Sequence, residues 1–311
     1  MSMFNDTRVK SSVFLLTGIP GQEAAHIWIS IPFCSIYVVS MVGNTVILFI
    51  VKTDPSLHEP MYIFLSMLAL TDLGLSISTV PTVMGIFWFN VQEISFTACF
   101  TQLFFIHALS FIESSVLLSM AFDRYVAICN PLRYASILTT PRIAKMGLAF
   151  MLRGVLLIFP LPFLLKRFQY CKANVLSHSY CLHQEVMKMA CSDIRVNSIY
   201  GLFVIVSTVG MDSLLILLSY VMILRAVLSI ASQEERLKAL NTCVSHICAV
   251  LLFYTPMIGL SIVHRFGKDL SPVVQILMGY VYLLVPPLMN PIVYSVKTKQ
   301  IRAQMVKTFF K

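Results

Sequence analysis

Residues 96–129 read FTACFTQLFFIHALSFIESSVLLSMAFDRYVAIC, one long apolar run that closes on the tripeptide Asp123-Arg124-Tyr125. A helix rises about 1.5 Å per residue, so this run reaches about 50 Å, beyond the roughly 30 Å of a bilayer's hydrocarbon. It reads as a membrane span that tilts and projects into the cytoplasm. Glu113 then lies about 16 Å above Arg124, near mid-membrane.

Working outward, six more apolar runs are long enough to cross: Ile27–Val51, Met61–Gly85, Ile143–Leu165, Ser198–Leu228, Ala239–His264 and Pro272–Val296. The expected architecture is all-α: a seven-transmembrane helix bundle. Residues 1–26 form an extracellular N-terminus, and residues 297–311 a short cytoplasmic amphipathic helix on the inner leaflet. Internal prolines, among them Pro32, Pro81, Pro160, Pro162, Pro256, Pro286, Pro287 and Pro291, should kink several spans. The runs are continuous rather than alternating, which argues against a β-barrel.

Composition agrees. The chain is 58% hydrophobic and 12% charged, with mean hydropathy +0.82. Soluble domains carry about a quarter charged residues, so a water-facing surface cannot be built here. The net charge of +9 does not indicate nucleic acid, because the basic residues sit in short gaps between apolar runs. Residues 1–23 are polar and resemble no signal peptide, so the first run is expected to act as an uncleaved anchor.

Seven crossings put the termini on opposite sides. One set of connections holds Lys52, Arg124, Arg133, Arg142, Lys145, Arg225, Arg236, Lys238, Lys297, Lys299, Arg302, Lys307 and Lys311. The other holds Arg8, Lys10, Arg265 and Lys268, plus Lys166, Arg167, Lys172, Lys188 and Arg195 in one long loop. With that loop set aside as a small folded unit, the bias is clear, and the C-terminus is expected in the cytoplasm of a plasma-membrane protein. The only Asn-x-Ser/Thr sequon, at Asn5, falls on the outer side as a glycosylation candidate. Cys99, Cys171, Cys181 and Cys191 fall at or in outer loops, where disulfides persist, although spacing cannot give their pairing.

Ionisable groups within spans default to function. Here they are Asp72, His107, Glu113, Asp212 and His246, with Arg124 at an inner end. Asp72 and Glu113 reach similar depth and would repel unless a proton or cation lies between them. The pair is a candidate sodium site; a protonated structural pair is the plainer alternative. No other cofactor is called for. Arg124 can pair with Asp123 or swing toward Tyr220 and His246 when the bundle opens. Asn290-Pro291-Ile292-Val293-Tyr294 ends the seventh span, where a proline kink beside polar groups suits a bistable element, with Tyr294 able to repack near Arg124.

These strings carry a specific resemblance. Pro60-Met61-Tyr62, Met120 through Cys129 with Pro131-Leu132, Ser219-Tyr220, Lys238 through His246 and Pro291 through Tyr294 together resemble the rhodopsin-like G-protein-coupled receptors, and within them the odorant (olfactory) receptors. Phe104 through Ser110, Ser177 through Cys181 and Gly259 through Phe266 narrow the likeness to the class I, fish-like branch, family 51. It covers essentially the whole chain. One departure from rhodopsin-like receptors at large is Phe253-Tyr254-Thr255-Pro256, where a tryptophan switch is usual; odorant receptors commonly have Tyr there.

The resemblance implies a Cys99–Cys181 bridge tying the third span to the long loop, and a Cys171–Cys191 bridge within that loop. It implies a volatile ligand, a stimulatory heterotrimeric G protein that raises cAMP, and olfactory cilia as the site of expression, although some relatives act outside the nose. The residues suggest where the ligand sits. Ser261 and Arg265 share a face of the outer sixth span, His107 lies in the outer third span, and Gln184 follows Cys181 in the capping loop. Phe111, Phe163 and Ile205 offer apolar walls. A guanidinium suits a carboxylate, and relatives bind carboxylic acids through residues matching His107, Gln184, Ser261 and Arg265. The expected ligand is an aliphatic molecule with an acidic or polar head. Tyr254 and Pro256 would form the hinge that carries closure inward. A transporter would show paired repeats, and an enzyme a metal motif or a Ser/His/Asp grouping; the sequence shows none of these.

Overall fold

The computed structural model describes residues 13–19, 26–170, 174–266 and 271–309, without the side chains of 265, 266, 272 and 309. Among the described residues, seven helices are long and apolar enough to cross a membrane. They are His26–Thr53, Pro60–Phe89, Phe96–Cys129, Thr140–Lys166, Arg195–Leu228, Gln233–His264 and Val273–Lys297; the sixth helix itself runs on to Phe266 and the seventh starts at Pro272. An eighth helix, Lys299–Phe309, follows. Polar caps help set several ends. Ser95 Oγ accepts from Ala98 N at 3.2 Å to start the third span, and Asn90 closes the second in the left-handed region at φ 52°.

The third span is the axis of the bundle. Of its most apolar stretch 67% is buried, against 22% in the fourth span. Ala121, Val116, Leu117 and Met120 pack there with Leu65, Leu68, Phe253 and Tyr294 in one central core. The fourth span instead turns Leu148, Met151, Leu152 and Leu156 outward, a face that suits hydrocarbon.

Two spans depart from regular helix, each for a local reason. Pro160 has no N–H to continue the ladder, so the fourth span divides into Thr140–Ile158 and Pro160–Lys166 about Phe159. The fifth widens into a π-turn at Val206–Gly210. The seventh span shows how a kink is resatisfied. Pro291 cannot donate to the carbonyl of Pro287, and that oxygen instead accepts Ser40 Oγ and Asn44 Nδ2, each at 3.0 Å. The first span comes that close because it presents Gly43, where an added Cβ would meet Pro291 at 2.9 Å.

The outer end is not purely helical, which the all-α expectation did not anticipate. Strand β1 (Val13–Leu16) pairs antiparallel with β2 (Glu93–Ser95) and parallel with β3 (Val175–Leu176). Phe14 is fully buried there, stacked on Phe96 with ring centroids 4.3 Å apart and edge-on to Tyr170. This sheet and the Cys99–Cys181 disulfide fix the long loop over the bundle.

Candidate functional site

Gln102 and the disulfide set the roof of an outer cavity. Cys181 N donates to Gln102 Oε1 at 2.8 Å, while Gln102 Nε2 donates to Ser78 O and Thr82 Oγ1 of the second span. The loop then runs straight into Leu182, His183 and Gln184, which overhang the cavity. Its walls are His107 and Phe111, Ile158 and Leu161, Gly201, Val204 and Ile205, Met257, Leu260 and Ser261, and Tyr282. The volume is about 60 Å³, which at about 10–15 Å³ per water-sized occupant holds roughly four to six non-hydrogen atoms.

Polar groups are few and mostly pre-set. His183 Nε2 meets Asn197 Oδ1 at 2.8 Å, and its ring lies edge-on to His107 at 6.3 Å. Ser261 Oγ donates to Met257 O at 2.9 Å, so its remaining capacity is to accept. Tyr282 OH donates to Ser110 Oγ at 2.7 Å. Three of the four residues expected to bind ligand thus line one cavity: His107, Gln184 and Ser261. Arg265 lies in the last turn of the sixth helix, and its side chain is outside the described residues. Phe111 and Ile205 are walls, but Phe163 is not. The division of the fourth span turns Phe163 outward, 56% exposed, into a lateral groove with Phe100, Phe159 and Lys166.

Beneath the cavity is a buried network joining four spans. Arg153 Nη1 bonds Asp212 Oδ1 at 2.8 Å and Ser115 Oγ at 3.1 Å, and its Nη2 donates to Ser207 O inside the π-turn. Ser114 Oγ donates to Asp212 Oδ2 at 2.8 Å. That uses the serine's one proton, so Tyr254 must donate in the 2.8 Å contact between the two hydroxyls. Sequence reading flagged Asp212 and Tyr254 and missed Arg153. The available signal was a lone arginine inside an apolar run, matching an unpaired aspartate one span away.

Deeper still, Asn290 Nδ2 bridges the two acids, 3.1 Å from Asp72 Oδ2 and 3.4 Å from Glu113 Oε1. An amide therefore occupies part of the gap expected between the carboxylates. Glu113 Oε2 and Asn290 Oδ1 are buried without hydrogen-bond partners, and such oxygens fit a hard cation like sodium.

At the inner end Arg124 Nη2 holds Asp123 Oδ2 at 2.7 Å, and Tyr134 OH donates to Asp123 Oδ1 at 2.6 Å. Tyr220 and His246 do not reach Arg124 as partners but engage each other. His246 Nε2 must carry its proton to bond the carbonyl of Leu117 at 2.9 Å, so Nδ1 accepts Tyr220 OH at 2.6 Å. Tyr125 packs on Ile223, Val227 and Cys243. Tyr294 is buried, its hydroxyl 4.0 Å from Met120 Sδ. The arginine is closed onto its own helix.

A second feature unforeseen from sequence lies in the roof. Glu185, in the short helix His183–Lys188, stands 3.3 Å from His264 Nε2, 3.9 Å from His178 Nδ1 and 2.5 Å from Lys188 Nζ. Burial alone would raise the Glu185 carboxyl, but bonds to His264 and Lys188 outweigh it and hold it at about 2. Burial pushes the His178 imidazole down to about 4, against the pull of Glu185. Of the expected disulfides, Cys99–Cys181 is formed, with Cα atoms 5.5 Å apart. Cys171 and Asn5 lie outside the described residues.

Comparison with known proteins adds the lineage. A sequence profile described as olfactory receptor matches residues 33–311. The chain is 70% identical to olfactory receptor 51G2 of Homo sapiens, over 99% of this chain and 98% of that protein. It is 65% identical to olfactory receptor 51G1 of Homo sapiens, over 99% and 96%. The crystal structure of squid rhodopsin superposes with a TM-score of 0.72 at 19% identity, covering 94% of this chain and 87% of that one, a likeness of fold.

Proposed function

The chain belongs to the olfactory receptor family, and from that premise we propose that its odorant is a short aliphatic carboxylic acid. Membership makes it a multi-pass membrane receptor that senses an odorant and acts through a G protein, and not an enzyme. The acid reading rests on one observation: His107, Gln184 and Ser261 line a single small, otherwise apolar cavity, and Arg265 follows Ser261 by one turn of the same helix. The guanidinium would take the carboxylate, the three neutral groups its remaining lone pairs, and the aliphatic walls the tail.

Binding energy spent differently on two bundle states suffices to signal. The acid draws the outer sixth span inward, Tyr254 and Pro256 act as hinge, and the inner end carrying Lys238 and His246 swings out. Arg124 leaves Asp123 for Tyr220, and a helix of a stimulatory G protein enters the groove and raises cAMP. Asp72 and Glu113 would hold a sodium ion, which would supply the positive charge that lets both carboxylates stay ionised. The N-terminus lies outside with a glycan at Asn5, a Cys171–Cys191 bridge closes the long loop, Lys299–Phe309 lies on the inner leaflet, and the receptor works in olfactory cilia.

A cAMP screen of aliphatic acids, alcohols and aldehydes in cells tests this. Acids should act alone or best, and Arg265→Ala should abolish their response at unchanged surface expression, with Arg124→Ala as the uncoupled control. Acid responses that persist in Arg265→Ala would place the anchor elsewhere.

A further inference from the structure

The cavity beneath the roof shares part of its wall with a second space, which faces the surrounding lipid. Between the fifth and sixth spans, in the outer half of the bundle, lies a groove of about 210 Å³. Leu202, Val206 and Gly210 form one bank, and Ile258 and Ile262 the other. The four large side chains among them are exposed on the outside of the bundle, a face that suits hydrocarbon. Ile205, Met257 and Ser261 line this groove and the cavity alike. The two spaces are one side chain apart.

Local backbone shapes the groove. The π-turn at Val206–Gly210 widens the fifth span, and Arg153 Nη2 holds the turn from within by donating to Ser207 O at 3.0 Å. Gly210 leaves the end of that turn without a side chain. A Cβ built there would meet nothing nearer than Val206 Cγ1 at 3.9 Å. The lining hydroxyls are satisfied by backbone: Ser213 Oγ donates to Gly210 O at 3.0 Å, and Ser261 Oγ to Met257 O at 2.9 Å. None of the lining residues is charged. Of the three partition residues Met257 yields most easily, because its unbranched thioether repacks at little cost. Ile205 is stiff at χ1, and Ser261 is tied to its own helix.

The geometry points to a lateral portal: odorants reach the cavity from the bilayer, between the fifth and sixth spans, by displacing the Met257 side chain. The inference rests on the cavity being the odorant site. The molecules that can pass are uncharged and lipid-soluble. Each CH₂ favours hydrocarbon over water about fourfold, so an aliphatic odorant concentrates at the portal's mouth. An isolated carboxylate would find no partner in this lining, so an acid crosses as the protonated, neutral molecule. The roof need not open for entry, and the disulfide and Gln102 can keep Leu182, His183 and Gln184 over the cavity throughout.

The test uses the full chain in cells, timing the onset and washout of G-protein recruitment. The probe is the most potent member of the aliphatic acid, alcohol and aldehyde series. Gly210→Phe fills the groove from the fifth span and Ile262→Trp from the sixth, and neither position lines the cavity. Each should slow onset and washout alike, by about tenfold, because a narrowed passage raises the barrier and leaves both end states alone. Equilibrium potency and surface expression should stay as they are in the unaltered chain. Leu217→Phe, exposed on the same span but outside the groove, controls for added bulk and should change neither rate. Two results overturn the portal alone. One is unchanged rates in both filled variants while Val204→Phe, in the cavity wall, still alters potency. The other is slower onset with unchanged washout, which would make the groove part of the binding site. If Val204→Phe leaves potency untouched, the ligand lies outside the cavity, and the portal falls together with that reading.

Discussion

Arg153 on the fourth span and Asp212 on the fifth meet at 2.8 Å, and through Ser114 this pair reaches Tyr254 on the sixth. Asp212 is 1% exposed. An aspartate in such a place is tolerated only with its cation, and stranding one member of a buried pair costs about 3–5 kcal/mol. Arg153→Ala should therefore lower thermal stability and surface expression sharply. Adding Asp212→Ala should recover part of both, since the stranded charge is then gone. Melts and cell-surface labelling of the single and double variants check this; a double variant no better than Arg153→Ala alone would refute it.

Tyr254→Phe removes one hydroxyl and little else. Ser114 still donates to Asp212, so no charge is stranded, but the sixth span loses its bond to the network. A neutral hydrogen bond contributes about 1 kcal/mol, equivalent to about a fivefold change in a two-state ratio. Ligand-free cAMP, normalised to surface expression, should rise by about that factor. Unchanged or lower basal signalling would mean that Tyr254 does not restrain the resting state.

The number of spans, the extra length of the third and the inner Asp123–Arg124 pair were legible because each follows from a short rule: a long apolar run, its residue count against the bilayer, a charge beside its counter-charge. Partners distant in sequence were not. Arg153 could be noticed as a charge in lipid, but its acceptors are spread over the third span (Ser115), the fifth span (Asp212) and a π-turn at Val206–Gly210 (Ser207 O) that no residue pattern announced. Glu185 and His264 are 79 positions apart and meet only because the disulfide hangs the loop from the third span. Phe163 looked like a cavity wall by hydropathy, and only the break at Phe159 decided its direction. The β1 strand was hidden because a short outer sheet needs partners from three separate connections.

The cavity predicts a size limit. Each buried CH₂ contributes about 0.8 kcal/mol, roughly fourfold in affinity. Potency of straight-chain acids should climb with length and then fall once the 60 Å³ is filled. Val204, 1% exposed and part of the wall, offers the matching substitution. Val204→Phe should shift the optimum to shorter acids or abolish the response, at near-normal surface expression. Concentration–response curves from two to eight carbons would show it. An optimum that does not move would place the ligand outside this cavity.

Gln102 offers a way to separate the roof from the fold. Its amide spans the gap between Cys181 N, at 2.8 Å, and the second span's Ser78 O and Thr82 Oγ1. Gln102→Leu keeps the bulk and the disulfide but leaves the buried Cys181 N–H without that acceptor, a cost of about 1–3 kcal/mol. Cys181→Ser removes a cross-link closing 82 residues, worth about 4.5 kcal/mol on the loop-entropy account. Both changes loosen the segment that carries Gln184 over the cavity, but only the second should abolish surface expression. Gln102→Leu should reach the surface and respond to odorant with roughly tenfold lower potency and an unchanged maximum, because about 1.4 kcal/mol of roof order must be regained on binding. A Gln102→Leu receptor with unaltered potency would show that the roof contributes nothing to ligand affinity, and Gln184 would then leave the list of contacts.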